Sequence, residues 1–219
     1  MQELKDQILD AALTHVAFDG WSEASLSAAI EDTGADEAAV RAIFPRGAVD
    51  LALAFHRRGD EAMVAALSPA ALAGIKIREK ITHAIRLRLE LMEAEKEAVR
   101  RGTTLFALPI HAADGARALW ETADRIWTAI GDESDDYNWY TKRLTLSGVY
   151  SSVVLYWLGD LSDGHEATWA FLDRRIEDVM QIENVKVLLR SYLSGMRLPP
   201  ESLPVIPLRV TITFRLAPS

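Results

Sequence analysis

The sequence predicts an all-α protein with a small helical head and a larger helical body. Two observations predict it. Apolar residues recur every three or four positions through most of the chain. Glycine, proline and Asp/Ser clusters cut those stripes into segments of helix length. No convincing strand alternation occurs before Leu208.

Leu4, Ile8, Ala12 and Val16 share one face of a first helix, stopped at Asp19-Gly20. Ser25 to Glu31 gives a short second helix with Leu26, Ala29 and Ile30 inward, closed by Thr33-Gly34. Asp36 can cap a third helix in which Val40, Ile43 and Phe44 align, and Pro45 and Gly47 end it. A longer helix follows from about Val49 to Leu67. These residues, 1–67, form the head.

The body, 68–183, carries four further stripes. Ile77, Ile81, Ile85, Leu89 and Met92 form one, and Lys96 to Ala107 continues as helix until Pro109. Ala116, Leu119, Trp120, Ala123, Trp127 and Ile130 form the next, ended by Gly131. Trp139 to Leu158 is apolar on most sides beyond Arg143, as a central helix would be. Trp169, Leu172, Ile176 and Val179 mark the last body helix.

Composition removes several function classes. The chain has no cysteine, so disulfides, thiolate metal sites and thiol nucleophiles are excluded. The N-terminus reads Gln2-Glu3-Leu4-Lys5-Asp6, unlike a basic targeting leader, which places the protein in the cytoplasm. The longest uncharged run, Leu144 to Gly159, is too short and too polar for a membrane span. The net charge of −8 is uneven. From Asn184 onward five basic residues stand against Glu201, so a basic tail follows a strongly acidic body. The body should be repelled by phosphate, the tail drawn to an anionic membrane.

The five histidines are scattered, and His165-Glu166 lacks the second histidine of a metal-binding helix. The acidic run Asp132, Glu133, Asp135 and Asp136 lacks the alternating ligands and central glycine of a calcium loop, and reads as a helix start capped by Asp136. No phosphate-cradling loop or nucleophile elbow occurs. No metal and no cofactor is expected, and no catalytic residue is assigned.

The spacing of Ile8-Leu9-Asp10-Ala11-Ala12, Leu26-Ser27-Ala28-Ala29-Ile30, Gly34 and Ile43-Phe44-Pro45 resembles the DNA-binding head of the tetracycline-repressor family. The resemblance implies a helix-turn-helix head on a helical ligand-binding body. The charge does not suit DNA. Residues 20–44 hold Glu23, Glu31, Asp32, Asp36 and Glu37 against Arg41, where phosphate contact demands cations. No nucleic acid partner is expected.

Trp120, Trp127, Trp139, Trp157 and Trp169 crowd into one stretch of the body. They close a helical core or wall an apolar cavity between helices. In the second case Phe106, Trp120, Trp127, Leu144, Val153 and Trp157 are the candidate lining of a lipid site.

The run from Gly131 through Asp135-Asp136-Tyr137-Asn138-Trp139-Tyr140-Thr141-Lys142-Arg143 closely resembles a signature of the family of the ninth coenzyme Q biosynthesis protein. So does Asp163-Gly164-His165-Glu166-Ala167-Thr168-Trp169-Ala170-Phe171-Leu172-Asp173-Arg174-Arg175-Ile176. The resemblance covers about residues 4–183. It implies a non-enzymatic accessory protein of ubiquinone synthesis that binds an isoprenoid quinone or phospholipid and presents it to the demethoxyubiquinone hydroxylase. It also implies a tetracycline-repressor-like fold and a membrane-touching helix near the end. Trp139 and Tyr140, flanked by Asp136 and Arg143, are the candidate docking surface for the hydroxylase. Pro109 and His111 join them because Leu108-Pro109-Ile110-His111 is similar to a Leu-Pro-His-like surface element of the family, with one residue intervening. A homodimer is the expected assembly.

Residues 184–219 are a basic amphipathic helix and a Pro-rich tail. Val185, Leu188, Leu189, Tyr192, Leu193 and Met196 fall on one face, with Lys186 and Arg190 largely on another, the pattern of a helix lying in the headgroup boundary; the alternative is that the same apolar face folds back onto the bundle. Gln181 to Asn184 would separate it from the body. The alternative function is a ligand-responsive transcription regulator of the tetracycline-repressor type.

Overall fold

The computed structural model describes residues 1–68, 72–132 and 137–195, with the side chains of Tyr137, Met180 and residues 182–195 outside that description. Among the described residues there is helix and no strand.

The head follows from its caps. Helix α1 (Gln2–Asp19) buries Ile8, Leu9, Ala12 and Val16 and stops at Gly20, whose φ of 68° no larger side chain adopts readily. Helix α2 (Glu23–Thr33) starts where the Ser22 hydroxyl accepts from Ser25 N–H at 3.2 Å, and it ends on left-handed Gly34. Helix α3 (Glu37–Ile43) is capped by Asp36, which accepts from Ala39 N–H at 3.0 Å. Helix α4 (Ala48–Ala66) closes the head and packs against the body helices Ile77–Glu90 and Ala112–Ala129.

The body contains α5 (Ile77–Glu90), α6 (Lys96–Phe106), α7 (Ala112–Ala129) and α8 (Tyr137–Gly159). A single 3₁₀ turn, Asp163–His165, leads into α9 (Glu166–Gly195). Residues 181–184, expected as a separator, are helical and belong to α9.

Head and body share one hydrophobic core. It runs without interruption from Ile8 and Leu26 through Leu51 and Leu89 to Trp157 and Leu172, and Met1–Val179 is one compact unit. Hydrogen bonds tie the pieces, among them two between the α1 end and α6. Trp21 Nε1 donates to the Ala98 carbonyl at 3.0 Å, and Arg101 Nη2 donates to the Ala17 carbonyl at 3.0 Å. Arg46 adds an exposed ion pair to Asp114 at 3.0 Å. Residues Met180–Ser219 form a second unit. No helix among the described residues is long and apolar enough to cross a membrane.

The second sequence signature builds a turn. Gly164 and His165 both take left-handed φ, 56° and 57°. Asp160 accepts from the Ser162 N–H at 2.8 Å and from the N–H and hydroxyl of Thr168, so it caps the start of α9. The Thr168 hydroxyl and Ser162 hold the Asp160 carboxyl well below the usual carboxylate range. His165 and Trp157 both reach Glu93, at 2.9 and 3.2 Å. The motif therefore clamps α8, α9 and the α5–α6 link together.

Candidate functional site

A cavity of about 400 Å³ lies between α4, α5, α6, α7 and α8. Most of its wall is apolar and much of it is small: Ala52, Ala98, Gly102, Gly115, Ala116 and Ala118. Phe55, Leu89, Met92 and Phe106 supply the larger surfaces. A void forms there because small residues on facing helices leave space that their neighbours cannot fill.

Arg88 and Tyr150, with His56, make one wall polar. Arg88 is buried, and its Nε donates to Asp60 Oδ1 at 2.8 Å while Nη2 donates to the His56 carbonyl at 2.9 Å. Gly59 permits this. A Cβ there would sit 2.4 Å from the guanidinium carbon. The Thr122 hydroxyl donates to Asp60 at 3.0 Å, and His56 Nε2 lies 2.8 Å from Thr122 Oγ1. With Thr122 donating to the carboxylate, His56 supplies the proton of the second bond, which sets its tautomer. Burial lowers the His56 pKa below its ordinary value, outweighing the Asp60 charge nearby. Burial also pushes the Tyr150 phenol up to about 12. At neutral pH this wall therefore presents one matched ion pair, a neutral imidazole and a neutral phenol.

Of the six residues named for the lipid site, Phe106 lines the cavity. The other five lie elsewhere. Trp157 and Val153 are wholly buried in the core, and Trp157 belongs to the Glu93 clamp with Lys96 Nζ 4.7 Å over its ring. Trp127 is buried under Lys142 Nζ at 5.1 Å. Leu144 is 68% exposed, on the outer side of α8. Trp120 packs on Trp139 with ring centroids 5.8 Å apart. Large side chains mostly fill space, so they mark the core and not the void.

The residues named for docking divide differently. Trp139 and Tyr140 stand edge to face at 4.8 Å in the first turn of α8, and Tyr140 is 62% exposed. Arg143, expected beside them at the surface, is buried instead. It pairs with Asp124 at 2.5 Å and Asp132 at 3.2 Å, and its guanidinium lies 4.0 Å from the Trp139 ring centre. The correction has a plain cause: two acidic neighbours draw the cation inward and the indole covers it. Pro109 is exposed and His111 half-buried in the α6–α7 link. Asp136 lies outside the described residues. So does Met196, while Lys186, Leu188, Leu189, Arg190, Tyr192 and Leu193 lie on α9 where only the backbone is described.

In the head, Arg41 is engaged by Glu23 at 2.6 Å and by Glu37 at 3.5 Å. The hydrogen bond to Arg41 holds the Glu23 carboxyl below its ordinary value. Asp32 meets His15 at 2.6 Å.

These features define a tetracycline-repressor-like helical protein with an acidic head and an internal cavity of mixed polarity. The TetR transcriptional regulator from Nitrosomonas europaea has the same fold, with a TM-score of 0.65 at 20% identity, covering 80% of this chain and 96% of that one. The COQ9 family model matches residues 112–183. Similarity to COQ9 proteins extends beyond that match over most of the chain. It is 31% identical over 197 residues to the ubiquinone biosynthesis protein COQ9, mitochondrial, of Drosophila melanogaster, covering 88% of this chain and 59% of that protein. It is 29% identical over 209 residues to the probable ubiquinone biosynthesis protein coq9, mitochondrial, of Dictyostelium discoideum, covering 89% and 68%. The human COQ9 protein, also named mitochondrial, is 27% identical over 197 residues, covering 87% and 62%. The chain thus spans about three-fifths to two-thirds of the length of these relatives.

Proposed function

We propose that this chain serves ubiquinone biosynthesis as a non-enzymatic carrier. It holds an isoprenoid quinone intermediate in the cavity between α4 and α8 and makes it available to the demethoxyubiquinone hydroxylase at a membrane surface. The observation that carries the reading is the 400 Å³ cavity with its largely apolar wall. That volume and lining suit a drug-sized apolar ligand that needs a few polar contacts. The names of the family's members supply the pathway.

The exposed Tyr140 over half-buried Trp139 supports docking of a protein partner at the start of α8, since clustered aromatics beside charge make interface anchors. The amphipathic basic pattern of residues 185–196 supports attachment to an anionic membrane. A transcription-regulator role is less well supported, because Arg41, the one cation among residues 20–44, is held by two carboxylates.

The test is reconstitution. The hydroxylase, a long-chain quinone substrate in anionic vesicles and this protein are combined. Faster turnover when the protein is added, and none by the protein alone, is the expected result. Turnover by the protein alone, or no change in the hydroxylase rate, overturns the reading.

A further inference from the structure

The cavity changes character along its depth. Ala107, Ala112, Ala116 and Leu155 line it and are exposed, so they form its rim. Arg88 and Tyr150 line it and are each 3% exposed, so they belong to its buried floor, which they share with the apolar Ala52 and Leu89. Two donors on that floor are unclaimed. The Tyr150 hydroxyl has no hydrogen-bond partner among the described residues. Arg88 commits Nε to Asp60 and Nη2 to the His56 carbonyl, which leaves Nη1. Donors in the cavity wall that no protein acceptor claims are free to pair with a ligand, so the floor favours one that ends in an acceptor atom. A bare hydrocarbon end would leave both donors unmet.

Charge decides which acceptor. The Arg88 cation is already matched by Asp60 at 2.8 Å. Burial keeps His56 neutral. A carboxylate or phosphate placed here would bring a second anion against one cation, inside a wall that excludes water. A neutral carbonyl oxygen accepts from both donors and adds no charge.

We propose that the cavity floor is a carbonyl subsite: a quinone-type ring enters head first, its oxygen on Tyr150 and Arg88, and its apolar chain leaves past Leu155. This rests on the carrier reading for the presence of a lipid, and adds the ligand's orientation and the chemistry of its head. The cavity has room for a substituted ring and a short length of chain. A longer chain continues outside the rim. Leu108 and Ile110, 47% and 79% exposed in the link between Ala107 and Ala112, are the nearest apolar residues in sequence to receive it. The ring is then stored, not displayed, and transfer requires its release.

Calorimetric titration tests this with wild type and Tyr150→Phe against three probes of equal chain length: a decyl-benzoquinone, decylbenzene and decanoate. The quinone should bind Tyr150→Phe about three- to tenfold more weakly, the loss of one neutral hydrogen bond. Decylbenzene should bind both proteins alike, and decanoate should bind wild type more weakly than the quinone. A quinone carrying a bulky dye at its chain end should still bind wild type, because that end lies outside. The dye probe needs no variant, so it decides orientation even if Tyr150→Phe folds poorly. Equal quinone affinity for both proteins, tighter decanoate binding, or loss of binding with the dye overturns the subsite while leaving a lipid carrier. Failure of all the probes to bind overturns the carrier reading as well.

Discussion

The Arg88 guanidinium and the Asp60 carboxylate meet at 2.8 Å, 3% and 1% exposed, with Arg88 in the cavity wall. Such a pair is stable only when both partners remain, since removing one strands a buried charge. Arg88→Met should therefore cost about 3–5 kcal/mol of stability, read as a fall in Tm. Gly59→Ala should act through the same pair, because its new methyl would displace the guanidinium. Melting of either variant within a degree of wild type would show that the pair is dispensable.

His56 makes stability depend on pH. Its folded pKa lies below the unfolded value, so below about pH 6.5 the unfolded chain binds the extra proton. Stability contributed by the neutral imidazole is complete above that pH and falls as acid is added, by at most about 1.4 kcal/mol per pH unit. His56→Gln should flatten the decline between pH 7 and 5 in urea titrations. An unchanged slope in the variant would assign the decline to other groups.

Tyr140→Ala should weaken binding to the hydroxylase at least tenfold and leave Tm nearly unchanged, because its side chain is largely exposed. Trp139→Ala should also cost stability, since the indole covers buried Arg143. Comparison of pull-down affinity with melting separates the two effects. Full hydroxylase affinity in Tyr140→Ala would remove this face from consideration.

The acidic head should give no sequence-selective shift of duplex DNA at submicromolar protein. Each carboxylate near phosphate adds repulsion, and Arg41 must leave two ion pairs to offset any of it. A salt-sensitive, selective shift in a gel assay would restore the regulator reading.

The fold was legible where local chemistry decides it. Gly20, Gly34 and the caps Ser22 and Asp36 stand at helix ends, and the stripe Ile8, Ala12, Val16 is buried as its spacing requires. Residues 181–184 contain no glycine or proline, so nothing there breaks α9. The site was legible only in part. Lining residues were sought among the largest side chains, yet Trp127, Val153 and Trp157 fill their own space. The usable signal was the small set Ala98, Gly102, Gly115 and Ala116 on the helices around Phe106. The polar floor was hidden for another reason. Asp60, Arg88, Thr122 and Tyr150 are far apart in sequence, and no periodicity links residues that meet only across α4, α5, α7 and α8.

The central claim is that the cavity holds an isoprenoid lipid, and mass spectrometry of lipids extracted from the purified protein tests it most directly. Wild type should yield an isoprenoid quinone or its precursor at close to one per chain. Ala116→Trp, which fills the rim from an exposed position, should yield much less while melting normally. Wild type that purifies free of lipid and takes none up from quinone-loaded vesicles would contradict the account.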